Sequence, residues 1–316
     1  MVKEQCEGGS STTSVSSSIF CFTYANGRRY HADRFHRADY FMPNDDSEQE
    51  RLDLYHHIFL TLLGGKLGTA PLDNPQRVLD VGTGTGIWAI DFADENPQAE
   101  VIGTDVSPIQ PSWVPPNLKF EIDDMEEDWT HPDNYFDYIH MRSLSGAFQH
   151  WDAILAQAYK KTAPGGYVEF QDYGCEVFTS DGTMLMGESS EHPIGTYFYH
   201  VMGAANRAGR PLIIARGMRD RLIRAGFVNV VERTAIWPLG PWPKDKHLKE
   251  LGKWGRMGAL ESLIPFATLL LTREGWTLEQ IQDLCDSVRK AHDKGRYYCH
   301  GWFVYGQKPK AEEIPL

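Results

Sequence analysis

The chain has 316 residues, of which 41% are hydrophobic and 23% charged, and a formal net charge of −12. That length buries a sizeable core, as one large domain or two small ones. The acidity, with no dense basic patch, argues against binding to a phosphate backbone. Five scattered cysteines without a CxxC spacing argue against a disulfide framework or a zinc site, and no apolar run is long enough to span a membrane.

Residues 1–18 read as a disordered Ser/Thr-rich tail, and residues 19–70 as an N-terminal helical lid. The stretch from Tyr30 to Asp45 is polar and aromatic. Tyr30, His31, Tyr40, Asn44 and Asp45 are its candidates for a ligand contact, with the rings able to lie against a cation. Leu52, Tyr55, Ile58, Phe59 and Leu62 recur at helical spacing, which predicts a helix over Ser47–Leu63. Ser47 with Glu50 suggests a capping box, and Gly64-Gly65 a stop. His56-His57 falls in mid-helix and is assigned to packing, because no further ligand stands at metal spacing.

From Arg77 the pattern alternates. Strands are predicted at Val78–Val81, Glu100–Thr104, Leu118–Ile122, Phe136–His140, Tyr167–Gln171, Phe227–Ile236 and Tyr297–Tyr305. Helices are predicted at Gly86–Glu95, Trp151–Thr162 and Arg210–Ala225, with two more over Lys246–Leu271 and Thr277–Lys294. This alternation predicts an α/β fold with a mostly parallel sheet covered on both faces. The domain is placed at 71–316, with a helical insertion near 244–294. The Trp- and Pro-rich block Trp237–Trp254 is read as a packed loop or an aromatic wall.

The most informative segment is Val78-Leu-Asp-Val-Gly-Thr-Gly-Thr-Gly86. A strand, then glycines at 82, 84 and 86, then a helix, lets the backbone approach a ligand closely. Asp105 ends the next strand, where a carboxylate can accept two ribose hydroxyls. The spacing is GxGxG, whereas the dinucleotide fingerprint is GxGxxG. Asp80 before the turn favours a ligand with an amino group over a pyrophosphate. The pattern points to a nucleoside joined to an amino acid, S-adenosylmethionine.

On these residues the chain resembles the class I S-adenosylmethionine-dependent methyltransferases. The resemblance implies a Rossmann-like sheet of seven strands with the last antiparallel. It also implies that Asp124 and Met125 face the adenine, and Pro164-Gly-Gly-Tyr167 fits the family's turn before the fifth strand. Further segments are similar to the LaeA-like methyltransferases of filamentous fungi. They are Tyr30-His31, Met42-Pro-Asn-Asp45, Arg51-Leu-Asp53, His56-His57, Gly84–Asp91, Ser107-Pro-Ile-Gln110 and Leu239-Gly-Pro-Trp-Pro243. That likeness implies a part in fungal secondary metabolism, as tailoring enzyme or as regulator.

The expected cofactor set is therefore Tyr40, Asn44, Asp80, Gly82, Thr83, Gly84, Gly86, Asp105, Val106, Asp124, Met125, His140 and Met141. The catalytic candidates lie after strands four and five: His140, Asp172 and Tyr173, with Arg142 and His150 near them. Histidine suits a general base at neutral pH. The expected partner is a small-molecule acceptor, with no metal, nucleic acid or membrane; protein partners or a homodimer stay open, as does methylation of a protein. The expected compartment is the cytoplasm, with the nucleus as the alternative.

Overall fold

A computed structural model describes residues 3–6, 21–31, 40–187 and 192–310. The first strands form a small antiparallel sheet, β1 (Lys3–Cys6), β2 (Cys21–Ala25) and β3 (Arg28–Tyr30). Asn26 and Gly27, both at positive φ, make the turn between β2 and β3, the pair that a two-residue hairpin favours. The tail therefore contains a strand within 1–18, while residues 7–20 lie outside the described residues. Residues 32–39 of the polar, aromatic stretch also lie outside them.

Helix α1 (Asp46–Leu62) is capped by Asp45, whose carboxylate accepts the Glu48 amide at 3.2 Å. The expected cap at Ser47 is displaced because Arg28 already holds the Asp45 carboxylate at the helix start, at 2.5 and 2.7 Å. Gly64 and Gly65, at φ 63° and 86°, end the helix.

The main sheet uses β4 (Arg77–Val81), β5 (Glu100–Asp105), β6 (Leu118–Ile122), β7 (Phe136–Arg142), β8 (Thr162–Tyr173), β11 (Val228–Pro238) and β12 (Tyr297–Gln307). Their spatial order is β11-β12-β8-β7-β4-β5-β6. The pairs from β8 through β6 are parallel, and β12 runs antiparallel to both β8 and β11. A short hairpin, β9 (Val177–Thr179) and β10 (Met184–Leu185), continues the edge of β12 beyond β8. Val78, Leu79 and Val81 are fully buried, as a strand covered on both faces requires.

Helix α2 (Ile87–Glu95) covers one face; α3 (Trp151–Lys161) and α5 (Met218–Arg224) cover the other. A third cluster lies where α1 meets α4 (Pro193–Arg207), α6 (Lys246–Arg273) and α7 (Leu278–His292). Helix α4 was not anticipated, although Ile194, Tyr197, Val201, Met202 and Ala205 bury one of its faces. The helix expected over Arg210–Ala225 shrinks to α5 and one preceding 3-10 turn. Arg210 is held instead by the Ala147 carbonyl and Glu126, and the Pro211 carbonyl accepts the Gly146 amide. Among the described residues no helix is long and apolar enough to cross a membrane.

Candidate active site

The turn after β4 is built by its glycines. Gly82, Gly84 and Gly86 have φ of 65°, 59° and 81°, a region that costs side chains of ordinary residues of order 1 kcal/mol or more. Space restricts them further. A Cβ on Gly82 would lie 2.5 Å from Leu144, and one on Gly86 2.3 Å from Phe120.

The turn is tied to the second strand. Asp105 Oδ2 accepts the Gly84 amide at 2.8 Å and Oδ1 the Ser107 amide at 2.9 Å. Burial pushes the Asp105 carboxyl up to about 6, against the pull of those two amides. Gln110 bridges the carbonyls of Gly84 and Ser107, and Asn44 donates to the Ser107 hydroxyl. The loop after β5 and the segment before α1 are thereby fixed to the glycine turn.

A cavity of about 1260 Å³, counted out to its open mouth, lies over the carboxyl ends of β4, β5 and β7. Of the expected cofactor set, it brings together Tyr40, Asn44, Asp80, Gly82, Thr83, Gly84, Asp105, Val106, Asp124 and Met125. Asp80, Asp105, Asp123 and Asp124 make its lining acidic. The cavity also takes in residues outside the expected cofactor set: Leu52 and Ser107, which the sequence marked only for helical spacing and family likeness, and Glu48, Leu144 and Phe148, which it did not mark. Only the helical spacing of Glu48, Leu52 and His56 hinted at a shared face of α1.

Three of the expected set stand elsewhere. Gly86 caps α2 and accommodates the Phe120 ring. Met141 is fully buried in the core on the α3 side of the sheet. His140 is also fully buried, and its ring stacks on Trp88 with centroids 3.6 Å apart. Its Nδ1 meets Asp80 Oδ1 at 2.7 Å, while Thr83 Oγ1 donates to Asp80 Oδ2 at 2.6 Å. Trp88 covers the imidazole, so His140 orients Asp80 and does not line the cavity.

The other catalytic candidates are also displaced. Asp172 is fully buried and accepts from the Ser145 amide and hydroxyl and the Tyr173 amide, at 2.8–3.0 Å. Burial moves it up to about 7 against those bonds. It pins the loop after β7 and does not line the cavity. His150 is exposed at the start of α3. Tyr30 belongs to β3 and Asp45 to the α1 cap. Tyr173 faces a second, apolar cavity.

Arg142 and His56 do reach the first cavity. Arg142 Nη2 donates to His56 Nδ1 at 2.9 Å, so the ring proton sits on Nε2 and is given to Asp91 at 2.9 Å. Burial and the nearby Arg142 charge hold His56 down to about 4, which keeps it neutral. Burial also lowers Arg142, to about 10, leaving it cationic at neutral pH. Both His56 nitrogens are engaged, so this histidine aims a guanidinium and offers no free lone pair for a base. His56, expected only to pack, therefore holds Arg142 at the cavity wall.

The chemistry of this lining fits the cofactor that the resemblance implies. The lining holds the group types that cofactor needs: carboxylates able to accept from an ammonium and from hydroxyls, the Arg142 guanidinium able to donate to a carboxylate, and apolar Leu144, Phe148 and Met125.

Residues 50–232 match the family model for a methyltransferase domain. A curated relative, Methyltransferase pytC of Aspergillus terreus, is 38% identical over 89% of this chain and 86% of its own length. A Secondary metabolism regulator of Cochliobolus heterostrophus is 35% identical over 84% of this chain and 87% of its own. Among solved structures, a phosphoethanolamine N-methyltransferase of Haemonchus contortus with S-adenosylhomocysteine aligns at a TM-score of 0.50 and 17% identity. That alignment covers 83% of this chain and 58% of the longer solved chain.

Proposed function

The chain belongs to the methyltransferase family, and from that premise we propose that it transfers the methyl group of S-adenosylmethionine to O, N or S of a small fungal metabolite. The observation that carries the cofactor reading is the join between Gly84 and Asp105, which holds a ribose-accepting carboxylate beside an open glycine turn. In this reading Asp105 accepts the two ribose hydroxyls, and Asp124 and Met125 flank the adenine. Asp80 faces the amino group, and Arg142 the carboxylate, of the methionine part. Tyr40 and Asn44 close the cavity from the N-terminal side.

When bound, S-adenosylmethionine supplies an electrophilic methyl carbon on a sulfonium. An acceptor held in line with that carbon would take it as the carbon–sulfur bond breaks, the electron pair going to sulfur and any acceptor proton to water. Among the chain's own groups, Asp80 is oriented by His140 and Thr83, and Arg142 by His56. Their work is placement, which alone supplies a large share of the barrier reduction in a displacement.

Two measurements test this. Incubated with labelled S-adenosylmethionine and a fungal extract, the protein is expected to place label in small molecules. Label in protein alone would replace that acceptor with a protein, and label in neither fraction would favour the regulatory role in which the Cochliobolus relative is named. The second is the pH dependence of cofactor affinity. The Asp105 carboxyl titrates near 6 before ligand binds, and only its ionised form accepts both hydroxyls. Affinity is therefore expected to be flat above pH 7 and to fall by up to about tenfold per unit below pH 6. A flat calorimetric profile from pH 5 to pH 8, with the protein still folded, would remove Asp105 from this role.

A further inference from the structure

A second cavity, of about 750 Å³, opens between β8, β11, α4, α6 and α7. Its walls are almost wholly apolar. Tyr55 lines this cavity and the first, so it stands as a partition between the two. Tyr55, Tyr173 and Trp237 form an aromatic corner there, with ring centroids 5.0–5.6 Å apart. The partition is braced from behind: Tyr55 Oη meets the Ser262 hydroxyl at 2.9 Å, and the Arg51 guanidinium lies 4.8 Å from the ring centre.

Two polar groups on these walls have no partner among the described residues. His292 is 6% exposed, with neither ring nitrogen bonded there; Trp237 is 2% exposed, with its Nε1–H likewise unbonded. A buried polar group without a partner costs of order 1–3 kcal/mol. An otherwise apolar cavity is thus bordered by two buried, unsatisfied polar groups, the Trp237 indole lying against α6 at Gly255. Cys175 and Cys299 also line it, but burial raises the Cys299 thiol to about 12 and the Cys175 thiol further still, so both stay protonated and neither is a nucleophile.

Resting on the methyltransferase reading, we propose that this cavity is the acceptor site and that it selects a flat, mainly apolar aromatic metabolite with oxygen or nitrogen substituents for Trp237 and His292. The aromatic corner supplies stacking area for such a ring system. The neutral His292 offers one donor and one acceptor, so it takes a hydroxyl as readily as a carbonyl. The methyl group passes at the Tyr55 partition, where the two cavities adjoin. A charged or strongly hydrated acceptor is disfavoured, because no ion partner stands in this lining to offset its desolvation.

The test uses the full chain, with naphthol as the probe and S-adenosylmethionine binding measured in parallel. The native protein is expected to bind both. Ala259→Trp, which fills the cavity from α6, is expected to abolish naphthol binding while cofactor affinity stays within about twofold. His292→Phe keeps the volume and removes the polar group; it is expected to weaken naphthol binding, and transfer of label to extract metabolites, by about tenfold. Unchanged cofactor affinity in both variants shows that they fold. Equal naphthol binding by native protein and Ala259→Trp, or none by a native protein that binds cofactor, would overturn the proposal. Failure of the native protein to bind cofactor would instead overturn the methyltransferase reading, and with it the acceptor role of the cavity.

Discussion

Asp105→Ala is expected to lower S-adenosylmethionine affinity by about two to four powers of ten, read by calorimetry at pH 8. The proposed contact is a pair of ribose hydroxyls on one carboxylate. Charge-assisted hydrogen bonds contribute about 1.5–3 kcal/mol each, and about 1.4 kcal/mol is a factor of ten. The substitution also strips the Gly84 and Ser107 amides of their acceptor, so the turn loses its tie to β5. Asp105→Asn keeps one acceptor oxygen and should fall between the two. An alanine variant that binds within about threefold of the native protein would end the assignment of this cavity to the cofactor.

The second large effect is on stability. The carboxylate of Glu169 is fully buried and accepts from the Thr69 amide and hydroxyl, the Ala70 amide, Tyr138 Oη and Gln171 Nε2, all at 2.8–3.0 Å. It fastens the connection from α1 to β4 onto the middle of the sheet. Glu169→Ala removes the common acceptor of all these donors, each costing about 1–3 kcal/mol if left unmet. Relaxation and entry of water offset part of that, so a net loss of about 4–6 kcal/mol is expected. In a chain of this size that lowers Tm by roughly 6–10 °C. Glu169→Gln should cost less than half as much. A Tm unchanged in the alanine variant would show that the loop holds by other contacts.

The glycine turn and Asp105 were legible in the sequence because their chemistry is nearly local. A strand, a GxGxG turn and an acid one strand further on are read without knowing what packs on them. The mostly parallel sheet was also legible, since alternation of strand and helix leaves few topologies; the order of its strands was not. The direction of His140 was not. It pairs in register with Asp80 on the neighbouring strand, and periodicity places it at the carboxyl end as foreseen. What hides it is Trp88, brought over from α2. A ring covering a ring is a tertiary fact with no sequence signature.

The same holds for α1. Its apolar spacing was plain, yet Glu48, Leu52 and His56 line the first cavity while Tyr55 also faces the second. Amphipathicity marks a helix face and does not say which neighbour it meets. The apolar cavity is assembled from β8, β11, α4, α6 and α7, distant in sequence, and α4 went unrecognised because Gly195 and the run Tyr197-Phe198-Tyr199 blur its pattern.

The place of β12 has a consequence for synthesis. Residues 301–307 pair with β8 on one side and, over 298–307, with β11 on the other. Every strand it joins precedes it in the chain, so a ribosome delivers both flanking edges before the strand that seals them. Until Tyr297–Gln307 emerges, the nascent protein carries the open sheet edge of β8 and an unpaired strand β11 beside an uncovered apolar layer, the kind of surface that recruits other chains. A premature stop shortly before Tyr297 would therefore yield an aggregating product rather than a weakened enzyme.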